Sequence, residues 1–207
     1  MSLAFERFNT SGMTVDQYFD SMEKRKQDDC RENVERTAIS PEHRDYFAGK
    51  SLKFLVITEE WCIDSVQFLP VLVRLVRENE NLDIRILRRD EHLDLAENYK
   101  NKQGYQPIPV IIVFDADGNE LGHVLERPEQ ATKDMAEETR RFQQANPELE
   151  GIKRNIDRMP EETQAKVKEH NRQWRLNQQD RFAGYLLDEI RDIVESAGSA
   201  KSDRAAD

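Results

Sequence analysis

The segment Leu52-Lys53-Phe54-Leu55-Val56-Ile57-Thr58, followed at once by Glu59-Glu60-Trp61-Cys62-Ile63-Asp64-Ser65, decides how the rest of the chain is read. Its first seven residues form an almost continuous apolar run of strand length, the pattern of a strand covered on both faces. Val66, Leu69, Leu72, Val73 and Val76 then recur at helical spacing through residues 63–79. A buried strand therefore runs straight into an amphipathic helix, with Cys62 at the join. Unpaired backbone N–H groups and the helix dipole favour a thiolate there, and the thiolate is the form that attacks disulfides. The plain alternative is a small buried residue that only packs. Position weighs for reactivity.

Outward from this segment the pattern alternates. Residues 83–87 (DIRIL) read as a strand and 91–99 as a helix, and 109–114 (PVIIVF) as a second buried strand. Asp115-Ala116-Asp117-Gly118 is turn chemistry. Residues 120–126 return as a strand, and Pro128 opens a helix to about Ala145. The order β-α-β-α-β-β-α predicts an α/β unit with a mixed sheet: a parallel crossover, an antiparallel hairpin and a covering helix. Of the 40 Val, Ile and Leu residues, 26 lie between Leu52 and Leu125, so the core belongs to this unit and the flanks are polar helices.

In the N-terminal flank, Thr14 and Gln17 have capping-box spacing, with Met13 and Tyr18 placed as a hydrophobic staple. They predict a helix to about Gln27, with a second reaching Thr37. Ser40-Pro41 is an N-cap with proline at the first helical position, opening a short helix that ends near Gly49. Met1-Ser2-Leu3 are left out of the fold reading. Beyond Asn146-Pro147, the residues Phe182, Tyr185, Leu186, Ile190, Ile193 and Val194 form one helical stripe, with Val167 and Trp174 upstream. One or two helices over Glu161–Glu195 are expected, packing on the central unit or pairing two copies as a dimer. After Ser196 nothing large and apolar remains. The expected organisation is an N-terminal helical extension (1–51), a central domain (52–146), C-terminal helices (147–195) and a disordered tail (196–207).

Thirty-one Lys and Arg against 41 Asp and Glu give a net charge of −10, which excludes a generic phosphate-tracking nucleic-acid binder. No apolar run approaches the roughly 18 residues of a membrane span, and no secretory signal opens the chain. Two cysteines build no disulfide framework. A soluble, cytoplasmic protein in a reducing compartment is expected. His43, His92, His123 and His170 lack metal-ligand spacing, and there is no Gly-rich phosphate loop or G-x-S-x-G. No metal is expected.

Trp61-Cys62-x-x-Ser65 after a buried strand resembles the thioredoxin active site with its second cysteine replaced by serine. Pro70, eight residues after Cys62, is similar to the proline that kinks the thioredoxin active-site helix. Ile108-Pro109 resembles the cis-proline element that faces the reactive cysteine, and the β-β-α ending with its Asp-Gly turn is also similar. The resemblance covers about residues 52–145. The capped N-terminal helix and the Trp174 region resemble a bacterial thioredoxin-like subgroup whose members often carry an aspartate at the position of Asp64. The resemblance implies a thioredoxin fold with added N- and C-terminal helices. It also implies a reactive Cys62 supported by Trp61, Asp64, Ser65, Ile108 and Pro109.

Three departures limit what it implies. Val56 stands where thioredoxins place a buried aspartate, Pro107 where a glycine is usual, and Ser65 cannot close a disulfide with Cys62. Ordinary dithiol reductant activity is therefore not expected. Cys30, 32 residues upstream, is read as a bystander, since a resolving role needs its Cα within about 7 Å of that of Cys62. Glu59, Glu60 and Asp64 are expected to oppose the thiolate and to cap the helix start. Trp61 is expected to shield the site, and Ser65 to donate a hydrogen bond to Cys62.

The leading expectation is a monothiol redox protein acting on protein disulfides or low-molecular-weight thiols, with glutathione as co-substrate. A redox-inactive module holding an extended peptide beside Pro109 is the alternative. A glutathione-transferase-like enzyme is a third reading, but about 60 residues after Pro147 are too few for its helical domain.

Overall fold

Inner residues of β1 (Leu52–Thr58) alternate between two cores, which explains the unbroken apolar run. In this computed structural model, which describes residues 2–205, Phe54 and Val56 face a larger core, and Leu55 and Ile57 a smaller one. The sheet order is β2-β1-β3-β4, with β2 (Leu82–Arg88), β3 (Val110–Phe114) and β4 (Glu120–Leu125). β1 pairs parallel with β2, Val56 opposite Ile86, and antiparallel with β3, Val56 opposite Ile111. β3 pairs antiparallel with β4 across the Asp115–Gly118 turn. Gly118 takes φ +86° there, and a Cβ at that position would run into the Phe5 ring.

The crossover from β1 to β2 is α5 (Ile63–Arg77), whose Phe68, Leu69, Leu72 and Leu75 cover the larger core. Pro70 lies inside this helix. Helices α2 (Val15–Asp20), α3 (Lys24–Arg36) and α4 (Pro41–Ala48) add Tyr18, Phe19, Val34 and Phe47 to the same core. The N-terminal helices thus share one core with the sheet. The capping box at Thr14 is formed as the sequence predicts, and Ser40 caps α4. α6 (Leu93–Ala96) and α7 (Glu129–Ala145) follow β2 and β4. The C-terminal region divides into α8 (Glu161–Asn177) and α9 (Gln179–Ala205). Phe182, Leu186 and Ile190 of α9 are fully buried in the larger core, with Tyr185, Ile193 and Val194 packed at its edge. Burial on this scale contributes about 1.5–3 kcal/mol for each large apolar side chain.

Three expectations are corrected and one helix is added. No single helix runs from Thr14 to Gln27: the chain breaks after Asp20, where Ser21 Oγ donates to the Tyr18 carbonyl and Glu23 N donates to Glu60 Oε2 at 3.0 Å. Residues 91–99 are not one helix but a 3₁₀ turn at Arg89–Glu91 and the one-turn α6, ending in tight bonds from Asn98 N and Tyr99 N to the carbonyls of Leu95 and Ala96. A helix absent from the sequence reading, α1 (Leu3–Thr10), is capped by Ser2 and lays Ala4 and Phe8 on the smaller core, with Phe5 and Phe8 against Phe114. Finally, α9 continues to Ala205, past the expected end of order at Ser196. Elongating a formed helix adds a hydrogen bond for each residue fixed, so an apolar face is not required. Residues 206–207 of the expected tail lie outside the described residues.

Candidate active site

β1 ends at Thr58, the chain turns through Glu59–Trp61, and Cys62 is the N-cap residue of α5. Its amide donates to the Glu59 carbonyl at 3.2 Å, and its carbonyl accepts the Val66 amide at 3.1 Å, so the backbone fixes where the sulfur stands. Cys62 is partly exposed, and its Sγ donates to the Ile108 carbonyl at 3.3 Å. The Ile108–Pro109 peptide bond is cis. Pro109 in turn accepts the Glu126 amide at 2.8 Å, tying the start of β3 to the end of β4.

The other site residues serve the sulfur indirectly. Ser65 is only 3% exposed, and its hydroxyl accepts a hydrogen bond from Thr58 Oγ1. Thr58 itself is buried, and a buried hydroxyl needs a partner. Trp61 is 55% exposed, with the Arg89 guanidinium 5.6 Å from its ring centroid. A cation over an indole face is a favourable pairing.

The three carboxylates do not act as one repulsive group. Glu59 is buried, accepts the Asp90 amide at 2.9 Å and lies 3.5 Å from Arg88 Nη1. Glu60 accepts the Glu23 amide, ahead of α3 and not at the start of α5. Asp64, 7% exposed, is paired with Arg127 Nη1 and, at 2.7 Å, with Arg175 Nη1. Those arginines lie 63 and 111 residues away in sequence. No local periodicity pointed to them.

Cys30 is buried in α3 and unpaired with Cys62. Burial, with the Asp29 carboxylate adding to it, pushes its thiol up to about 12. Among the described residues, no group of three His, Cys, Asp or Glu side chains could hold a metal ion. Nor is any described helix long and apolar enough to cross a membrane.

A parallel crossover, an antiparallel hairpin and a cysteine capping the helix opposite a cis-proline define a thioredoxin-type module. A family model described as Thioredoxin matches residues 12–140, more than half of the chain, and the chain belongs to the thioredoxin family. It resembles the crystal structure of a protein of unknown function from Pseudomonas aeruginosa at 16% identity, with 95% of this chain and 99% of that one covered and a TM-score of 0.61. An HIV epitope-scaffold structure is similar at 17% identity, covering 93% and 96% of the two chains with a TM-score of 0.57. Both likenesses concern the fold, flanking helices included. No curated protein matches the sequence.

Proposed function

We propose that this protein carries out monothiol thiol–disulfide exchange at Cys62. The observation that carries the reading is a partly exposed Cys62 at the start of α5, with its sulfur 3.3 Å from the Ile108 carbonyl. Backbone N–H groups at the helix start favour the thiolate. In the proposed step, the Cys62 thiolate attacks one sulfur of a disulfide such as glutathione disulfide. A mixed disulfide forms as the old S–S bond breaks, and glutathione thiolate leaves. A second thiolate from solution then attacks the mixed disulfide and returns Cys62. Ser65 offers no sulfur for internal resolution, so resolution is left to solution thiols.

A second reading has its own support. Trp61 and Tyr105 are exposed on the loops after β1 and before β3, and Ile63 and Leu93 are exposed at the first residues of α5 and α6, all at the end of the sheet that leads into Cys62. A peptide-binding module would use such a surface.

Exposure to glutathione disulfide separates the two. Exchange predicts a glutathione mass increment that Cys62→Ser abolishes and Cys30→Ser leaves. Ser65→Cys would place two sulfurs one helical turn apart, and this variant should form a disulfide and reduce protein disulfides. No adduct, together with an oxidisable Ser65→Cys variant, would favour binding. The absence of both the adduct and the variant disulfide would overturn the site.

A further inference from the structure

A ring of contacts passes through Cys62. Its sulfur donates to Ile108, whose neighbour Pro109 accepts the Glu126 amide. Glu126 takes φ +65°, a turn that few residues other than glycine adopt, and the next residue, Arg127, reaches Asp64. Asp64 lies two residues from Cys62, which closes the ring. Arg175 joins it from α8, its guanidinium on Asp64 and its backbone carbonyl accepting from Gln67 Nε2 at 3.3 Å. α8 lies wholly outside the family-matched residues 12–140.

We propose that Arg127 and Arg175 are positioning residues that set how readily Cys62 reacts by balancing Asp64, which makes α8 part of the active site. The inference rests on the reading of Cys62 as the nucleophile. Near the sulfur an unbalanced carboxylate opposes the thiolate and an unbalanced guanidinium favours it. The remaining charged neighbours are already committed. Glu59 is held by Arg88 and the Asp90 amide, and Glu60 by the Glu23 amide. Arg89 pairs with Asp90, and Glu126 with Arg127. Asp64 has the least exposed carboxylate of the Arg127 group, and its two guanidiniums are mostly buried, so solvent screens their balance weakly.

The test is the rate of Cys62 alkylation by iodoacetamide against pH, read by mass on the Cys62 peptide of the full chain. Arg175→Gln and Arg127→Gln should each move the midpoint up by roughly 0.5–1 pH unit and slow alkylation at neutral pH by about three- to tenfold. Asp64→Asn should move it down and speed the reaction. Arg175→Lys keeps the charge and should stay near the parent. Asp64→Asn combined with Arg175→Gln should return most of the way to it. Unmoved midpoints in variants with parental circular dichroism would overturn the proposal, as would Asp64→Asn and Arg175→Gln moving it the same way. A Cys62 that also takes no glutathione and no iodoacetamide would overturn the exchange reading as well, whereas a reactive Cys62 with unmoved midpoints sinks this inference alone.

Discussion

Asn33 Nδ2 donates to the Val66 carbonyl at 2.8 Å, the carbonyl that Pro70 leaves without an intrahelical donor. A proline four residues on supplies no N–H and crowds that oxygen, so the active-site helix needs an outside partner at this point. α3 provides it, from the turn that also carries Cys30. Asn33→Ala should therefore destabilise the fold by about 1–3 kcal/mol, the cost of stranding a buried carbonyl. For a chain of this length that is about 2–4 °C of melting temperature for each kcal/mol. In a Pro70→Ala background, residue 70 regains its N–H and Asn33→Ala should cost less. Thermal melts of the four proteins check this, and equal losses in both backgrounds would break the link between Asn33 and Pro70.

The two thiols should separate cleanly in native alkylation. With its thiol pushed up to about 12 by burial, Cys30 is ionised at pH 8 in only about one molecule in ten thousand, and its sulfur is closed off besides. Thiol counting at pH 8 should find one reactive group, Cys62, in the folded protein and two in guanidinium chloride. Two fast thiols in the folded protein would mean that α3 opens readily from α5.

How much of this was legible beforehand differs from element to element. β1 over 52–58 and α4 over 41–48 lie where the sequence places them, because an apolar run and a Ser-Pro cap are local signals. α1 was not legible. It is only eight residues long, and what holds it is Phe114 on a strand more than a hundred residues away. The site divides in the same way. Cys62 is legible from its place between a buried strand and a helix, and Ser65 and Pro109 from the resemblance to the thioredoxin active site. Arg127, in the connection between β4 and α7, and Arg175, in α8, meet Asp64 only through tertiary packing, and an arginine in a polar segment looks like any other. Thr58 was the one missed contact with a usable signal, a hydroxyl ending an otherwise buried run.

Glu189 supplies a pH prediction. It is half-buried in α9, where burial and then Asp192 and Glu129 raise its pKa. The folded chain therefore holds this proton more tightly than the unfolded chain, and ionisation at neutral pH works against folding. Stability from this group is present in acid and is lost as pH rises through the raised value. Glu189→Gln should thus raise the melting temperature at pH 7. The gain should vanish as both proteins are acidified below the carboxylate range. A gain that is constant with pH would mean that the amide stabilises by some other contact.

Gly122 and Ile193 set how closely α9 sits on β4. A Cβ built at Gly122 would lie 2.8 Å from Ile193 Cγ2, closer than carbon atoms pack. That methyl is on a β-branched stem with little freedom to swing aside, so Gly122→Ala must shift α9 itself. Overpacking of this kind costs roughly 1–3 kcal/mol. Ile193→Ala alone should also destabilise, because it empties the contact at the edge of the larger core. In the double variant the new methyl occupies part of the space that Ile193 left. The combined loss should be smaller than the sum of the two single losses, by about 0.5 kcal/mol or more. Denaturant melts of the four proteins measure this coupling. Strict additivity would mean that α9 does not rest on Gly122, and that the C-terminal helix is held by Phe182, Leu186 and Ile190 alone.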